Sequence, residues 1–90
     1  MDNDKKILPP AVHMPQPMEE HTLEPGFELR IHNIKDHIKL LLLNGRAEVF
    51  GKELPEGEPV FFNATQKIAV FCWKLSNIQI SGEHEAYTSD

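Results

Sequence analysis

From Gly26 onward, short stretches of alternating apolar and polar residues follow one another, and this alternation restricts the fold more than any other feature. Residues 27–31 and 78–81 alternate as half-buried strands do. No window places apolar residues at a helical period. Strands of about five residues that recur about every eight to twelve residues are typical of an antiparallel sandwich or barrel. The sequence therefore predicts an all-β fold, a small, jelly-roll-like antiparallel β-sandwich of about seven or eight strands.

The middle of the chain carries a hairpin signal. Residues 37–43 include four consecutive leucines, a run compatible with a strand buried on both faces or with a helical segment. We favour a strand, because Asn44 and Gly45 follow at once and supply the two positive-φ residues of a type I′ turn. Residues 46–50 are then the predicted return strand.

A second strong strand signal lies at residues 67–74, where both alternating faces are apolar. Such a strand is expected centrally, between two layers. Ser76 and Asn77 predict a turn after it, and residues 60–62 and 86–88 predict two shorter strands.

The first 25 residues differ from the rest in composition. They hold five of the seven prolines and no aromatic residue. Proline fixes φ and removes a backbone donor, so helix and central strand are both disfavoured. The sequence predicts a flexible Pro-rich tail at 1–25, or alternatively a docking peptide for a partner groove, and a β-sandwich domain at 26–90.

Length and charge narrow the classes of function. Ninety residues allow one domain, and the formal net charge of −5 leaves no basic patch for RNA. The single cysteine, Cys72, excludes an intramolecular disulfide and suits a reducing compartment, the cytosol or the nucleus. No apolar run is long enough for a bilayer span, so we expect no membrane partner.

Two apparent motifs do not meet the requirements of their chemistry. Gly45 and Gly51 are followed by Lys52, but five residues separate the glycines and Glu53 replaces the metal-binding hydroxyl of a phosphate loop. The five histidines show no spacing of a zinc site, and we expect them at the surface, with no metal bound. The sequence therefore predicts no catalytic residue and no metal ligand.

Three further side chains are assigned to ordinary structural roles. Cys72 lies in an apolar strand, where burial disfavours the reactive thiolate, so a core cysteine is expected. Phe71 and Trp73 are able to stack on a base, but aromatic residues on a central strand are more often core. Glu28 and Lys67 stand at strand starts and, on sequence alone, are solvated charges at the rim of the sandwich.

A family resemblance changes the interpretation of those two charges. The segments are ELRI at 28–31, LNGRAEVFGKEL at 43–54, KIAVFCW at 67–73 and ISG at 80–82. In order and spacing they resemble the N-terminal domain of the eukaryotic polynucleotide 5′-hydroxyl kinases. That family includes the pre-mRNA cleavage complex II subunit, which also belongs to the tRNA-splicing endonuclease complex. The resemblance covers about residues 27–88. It departs from the family pattern at Lys52 and Cys72, where threonine is usual, and at Lys74-Leu75, where His-Gly is usual.

The resemblance implies a protein of three parts, in which this sandwich packs on a P-loop ATPase core. It implies that Glu28 and Lys67 contact the adenine side of bound ATP, and we expect the two side chains to converge at one edge of the sandwich. The core would hold the triphosphate and Mg²⁺ and would bind RNA. The family's role implies a nuclear location, and cleavage/polyadenylation factors or tRNA-splicing endonuclease subunits as partners.

The family's phosphate loop, magnesium ligands and catalytic acid lie beyond the segment that these residues match. We therefore expect this chain alone to transfer no phosphate, whether it is an excised domain or a divergent short protein, although a full-length parent can be an ATP-dependent polynucleotide 5′-hydroxyl kinase. Two alternatives remain open: a free-standing β-sandwich interaction module with no nucleotide role, and a ligand-binding jelly roll.

Overall fold

The computed structural model describes residues 18–32, 34–63 and 67–90, and over these ranges it is an all-β structure. The strands are β1 (Met18–Leu23), β2 (Glu28–His32), β3 (His37–Val49), β4 (Lys52–Glu53), β5 (Pro59–Asn63), β6 (Ile68–Ser81) and β7 (Glu85–Ser89). No helix in the described ranges is long and apolar enough to cross a membrane. The predicted fold class, a small antiparallel β-sandwich, is confirmed.

Two long strands, β3 and β6, run antiparallel along the whole domain, from Leu40 opposite Ile80 to Val49 opposite Val70. The first half of β3 and the last half of β6 are flanked by β5 and β1. The end of β3 pairs with β4. The first part of β6 pairs with β2, and β7 pairs with the other edge of β2. Each long strand therefore contributes to both layers of the sandwich.

The corner between the layers lies at Asn44 and Gly45, where the sequence predicted a hairpin. That prediction is wrong, because β3 continues from His37 to Val49 and the pairing with β6 only shifts register between Leu42 and Ala47. Gly45 does adopt a positive φ of 108°. Here it forms a bulge, and bulges let a strand bend and change sheets.

The predicted turn at Ser76 and Asn77 is also wrong, because β6 runs through both residues. The Ser76 hydroxyl is fully buried, accepts the Arg46 backbone N–H at 3.0 Å and donates to the Lys74 carbonyl at 2.7 Å. Asn77 Nδ2 donates to Asn44 Oδ1 at 2.9 Å across the corner. Ser76 thus satisfies backbone groups at the bend, and the two asparagine side chains link β3 to β6 there.

The core is formed mainly by alternate residues of β2, β3 and β6, as the two-residue period of strands requires, and Leu23 of β1 joins them. Its largest fully buried members are Leu23, Leu29, Ile31, Ile38, Leu40, Leu42, Val70, Cys72, Ile78 and Ile80. The short strands predicted at 27–31, 60–62 and 86–88 correspond to β2, β5 and β7. The strand predicted at 67–74 is central in the sheet, but only one of its faces is buried, and Trp73 on the other face is 49% exposed.

The N-terminal boundary lies earlier than predicted. Residues Met18–Leu23, assigned to the flexible tail, form β1 along the last half of β6. Leu23 is buried in the core, and this burial explains why proline density nearby did not exclude a strand. Residues 1–17 lie outside the described residues, and the prediction of a flexible tail stays a prediction there.

Candidate functional site

The outward-facing surface of β2, β7 and the first half of β6 carries Glu28 and is bordered by Lys67, the two charges identified from the sequence. On β2, Leu29 and Ile31 point into the core, so the residues between and beside them point outward. Register places their partners on β6 and β7 on the same side of the sheet. We call this surface the β2–β6 face; it comprises Glu28, Arg30, His32, Ala69, Phe71, Trp73 and Tyr87.

Glu28 opens β2 and lies opposite Phe71 on β6 and Ser89 on β7. Its carboxylate oxygen Oε1 accepts a hydrogen bond from Arg30 Nη2 at 2.8 Å. Both side chains are substantially exposed, and an exposed pair of this kind contributes at most about 1 kcal/mol to stability. The pairing therefore fixes the direction of the carboxylate more than it stabilises the domain.

Lys67 stands immediately before β6, at the opposite end of the β2–β6 ladder, and its side chain is exposed. It borders a concave surface of about 300 Å³ on the β2–β6 face. The rest of the lining comes from Arg30, Ile31, His32, Ile68, Ala69 and Tyr87. His32 and Tyr87 meet edge to face, with ring centroids 5.7 Å apart. This concavity thus combines cationic groups with an aromatic wall.

Glu28 and Lys67 share a layer but do not converge, so the expectation of a common edge is wrong. Since β2 and β6 are antiparallel, the start of one strand lies beside a later part of the other. Glu28 faces Phe71, which is four residues past Lys67, or about 13 Å along the strand. Arg30, opposite Ala69, lies between the two charges.

Exposed aromatic rings extend the β2–β6 face toward β3. Trp73 packs edge to face against Phe71 at 5.9 Å, and the Arg46 guanidinium lies 5.8 Å from the Trp73 ring centroid. Arg46 also forms an ion pair with Glu53. The predicted core position of Trp73 is wrong, because a strand with two apolar faces gives no signal of which face is open.

A second polar cluster lies away from this face, where β1 meets the turn after β6. Glu19, His21 and His84 offer ligand atoms that all lie within 4.8 Å of one another. The expectation that every histidine is a surface residue is wrong for His84, whose side chain is only 2% exposed. Sequence reasoning missed the cluster, because His84 is more than sixty residues from Glu19 and His21 in the chain and β1 was not predicted.

Cys72 has the core position that the sequence predicted. Its thiol is buried and lies 3.5 Å from the Leu23 carbonyl oxygen, to which it donates. Burial raises the pKa of the Cys72 thiol, so the reactive thiolate is suppressed at neutral pH.

We expect Cys72 to react with a thiol reagent slowly in the folded domain and rapidly in denaturant, because both burial and the raised pKa oppose attack. Since the chain has a single cysteine, absorbance after addition of Ellman's reagent reports this residue alone. Equal rates in the folded and the denatured chain would contradict the core assignment.

Comparisons with known proteins agree with this architecture. Residues 22–90 match the family model of the N-terminal beta-sandwich domain of polyadenylation factor. The human polyribonucleotide 5′-hydroxyl-kinase Clp1 is 40% identical over 76 residues, which cover 82% of this chain and 18% of the human protein. The Clp1 homolog of Brugia malayi is 38% identical over 74 residues, 81% of this chain and 17% of that protein.

Among solved structures, a wild-type Clp1p–Pcf11p complex contains a chain that superimposes with a TM-score of 0.70 at 12% identity. The match covers 84% of this chain and 19% of that one, and it supports the fold. This chain thus spans less than a fifth of the length of these relatives. Because the family model covers most of the sandwich, the chain belongs to the family of N-terminal β-sandwich domains of polyadenylation factors.

Proposed function

We propose that this chain is the adenine-contacting and scaffolding domain of an ATP-binding factor that resembles RNA 5′-hydroxyl kinases. The factor acts in pre-mRNA 3′-end cleavage and polyadenylation, in tRNA splicing, or in both. The observation that carries the proposal is the β2–β6 face, on which Arg30 lines the concavity at Lys67 and also donates a hydrogen bond to Glu28.

The side chains of this face have the donors and acceptors that adenosine requires. The Glu28 carboxylate accepts a hydrogen bond from the exocyclic amine of adenine, and the Lys67 ammonium donates to a ring nitrogen or a ribose oxygen. The backbone positions of Glu28 and Lys67 lie about 13 Å apart along the strand direction, a span that a nucleoside and the two side chains together bridge. Arg30, between them, offers a planar guanidinium on which the base stacks.

The triphosphate and Mg²⁺ belong elsewhere in this proposal. Phosphoryl transfer depends on an amide cradle, a phosphate-loop lysine and a metal-binding hydroxyl. The segment from Gly45 to Lys52 cannot form that cradle, because it is extended through Val49 and paired with β6. We propose that an ATPase core of the same protein supplies these groups and binds the RNA, and that this domain alone transfers no phosphate.

The exposed rings of the β2–β6 face support the scaffolding role. Trp73 and Tyr87 are each about half exposed and lie on the same surface as Glu28. Aromatic residues and arginine are enriched in protein interfaces. We propose that the ATPase core covers this surface, so that the nucleotide lies between the two domains. Cleavage/polyadenylation factors or tRNA-splicing endonuclease subunits would then bind the assembled protein in the nucleus.

In a full-length protein that carries this domain, we expect Glu28→Ala and Lys67→Ala each to weaken ATP binding about ten- to a hundredfold. Each substitution removes one hydrogen bond to a charged group, worth roughly 1.5–3 kcal/mol. Isothermal titration calorimetry measures the change. Glu20→Ala on β1 and Lys52→Ala on β4 are matched controls, because both side chains are exposed on other strands.

Circular dichroism on each variant separates loss of binding from loss of fold. Unchanged ATP affinity in both Glu28→Ala and Lys67→Ala, with the fold intact, would contradict the adenine-contacting role. Equal weakening in the two control variants would assign the effect to net charge. If ATP affinity is unchanged but Trp73→Ala weakens association with the ATPase core, the domain is an interaction module with no nucleotide role.

A further inference from the structure

The cluster of Glu19, His21 and His84 is created by the pairing of β1 with the end of β6. Glu19 and His21 are two residues apart on β1, so their side chains leave the same face of the strand. Glu19 lies opposite Ile80, and His84 follows in the turn between β6 and β7. The cluster therefore joins the N-terminal edge strand to a turn more than sixty residues away in sequence.

His84 is the best-fixed member of the cluster. Its side chain is only 2% exposed, and Nδ1 lies 2.6 Å from the Gly82 carbonyl oxygen. A carbonyl only accepts, so Nδ1 carries the proton and donates. In the neutral ring Nε2 then presents a lone pair. Nε2 lies 3.3 Å from Glu19 Oε1, so an ion bound by both atoms would replace the repulsion between their lone pairs.

The Gly82 carbonyl that orients His84 is itself held in place. Gly82 has a φ of +114°, and a Cβ at this position would lie 2.5 Å from the His37 backbone oxygen. The turn therefore packs against β3 with no room for a side chain. An imidazole whose second nitrogen donates to a fixed carbonyl is the usual arrangement of a metal-ligating histidine.

With His84 Nε2, the ligand atoms of Glu19 and His21 form a triangle that matches one face of a tetrahedral zinc site. His21 Nε2 lies 3.0 Å from Glu19 Oε1. Zinc bonds of about 2.0–2.2 Å to nitrogen and oxygen place tetrahedral ligand atoms about 3.3 Å apart. The distances from Glu19 Oε1 to His21 Nε2 and to His84 Nε2, 3.0 and 3.3 Å, are both close to this separation.

We propose that Glu19, His21 and His84 form a binding site for a divalent transition-metal ion, with zinc as the ion that best fits the donor set. Two imidazoles and one carboxylate are a known zinc ligand set that leaves a fourth position for water or another ligand. The cluster borders an open concavity of about 670 Å³, so the fourth position has access to solvent. The ion ties the edge strand β1 to the β6–β7 turn.

The charges around the concavity are compatible with a cation. Glu83 and Glu85 line it together with Lys35, so the acidic groups outnumber the basic one. The arrangement that competes with metal binding is a protonated His84, whose Nε2–H would donate to Glu19. In that case the cluster is an ion-paired group, with no affinity for metal beyond that of exposed histidines.

The test is calorimetric titration of the metal-free full chain with Zn²⁺ at neutral pH, followed by substitution of Co²⁺ for its visible absorption. We expect saturable binding with one ion per chain and an intense, tetrahedral-type Co²⁺ spectrum. His84→Gln, His21→Gln and Glu19→Gln should each weaken binding at least about tenfold, the lower end of what loss of even an outer partner costs. His37→Gln is the matched control, because His37 is exposed and outside the cluster.

Folding and binding are separated by the choice of variants. His84 is buried, so His84→Gln can lose structure, whereas the Glu19 side chain is exposed and Glu19→Gln retains its shape. Zinc at a hundredfold excess over its dissociation constant should raise the melting temperature of the native chain by about 10 °C or more. No saturable zinc binding, or equal affinity in Glu19→Gln and His37→Gln, would overturn the proposal and leave an ion-paired cluster.

Discussion

Gly45→Ala is expected to lower the free energy of unfolding by about 3 kcal/mol or more, a large part of the stability of a domain of this size. A side chain at a φ of +108° is strained by about 1–3 kcal/mol. The added Cβ would also lie 2.2 Å from Ser76 Oγ and 2.6 Å from the Leu75 carbonyl oxygen. Relieving that overlap requires movement of β6, which costs a similar amount. A domain of this size has a total stability of only about 4–10 kcal/mol.

Gly57→Ala is the matched control for backbone strain alone. Gly57 also has a positive φ, of +82°, but a Cβ added there would meet no atom within 4 Å. We therefore expect Gly57→Ala to lower the free energy of unfolding only by the amount that backbone strain produces, about 1–2 kcal/mol. Urea unfolding monitored by circular dichroism compares the two variants. Equal losses would show that the close contact between β3 and β6 at the corner has no energetic weight.

The alternation of apolar and polar residues predicted most of the fold, because that pattern is a local property of each strand. Residues 27–31, 60–62 and 86–88 each correspond to an observed strand. The pattern also indicated correctly that the strand at 67–74 is central. The all-β class and these strands therefore follow from the sequence without knowledge of which strands pair, whereas β1 and the continuity of β3 and β6 do not.

Turn residues were less informative, because they specify backbone conformation and not the path of the chain. Asn44 and Gly45 have the composition of a hairpin turn, and Gly45 does adopt a positive φ. Whether the chain reverses there depends on the neighbouring strand. Ser76 lies against Gly45, so both long strands bend together and neither reverses. The turn-forming residues 44–45 on β3 and 76–77 on β6 lie opposite each other, and together they mark a corner of the sandwich.

The candidate sites depend on register, which a single sequence does not provide. Glu28 and Lys67 were identified only through the family resemblance, and their separation follows from the antiparallel pairing of β2 with β6. Nothing in the sequence links His84 to Glu19, because only the pairing of β1 with β6 brings the two residues together. The prolines that precede β1 give that segment the composition of a tail, and composition alone does not show that β6 has a free edge for it.

Leu23→Ala is expected to lower the free energy of unfolding by about 2–5 kcal/mol, the usual cost of a cavity at a buried leucine. Leu23 ends β1 and is 1% exposed, and its carbonyl oxygen accepts the Cys72 thiol hydrogen bond. The loss is expected although the residue lies in a segment whose composition suggests a tail. Urea unfolding of the full chain measures it.

Leu75→Ala is the matched control, because Leu75 is 54% exposed and its truncation should change stability by no more than about 0.5 kcal/mol. A truncated chain that begins at Gly26 gives the second comparison. It lacks all of β1 and leaves the edge of β6 from Ser76 to Ser81 without its partner, so it should lose at least as much stability as Leu23→Ala. If the truncated chain is as stable as the full chain, β1 is not part of the folded domain and the predicted boundary at 26 is correct.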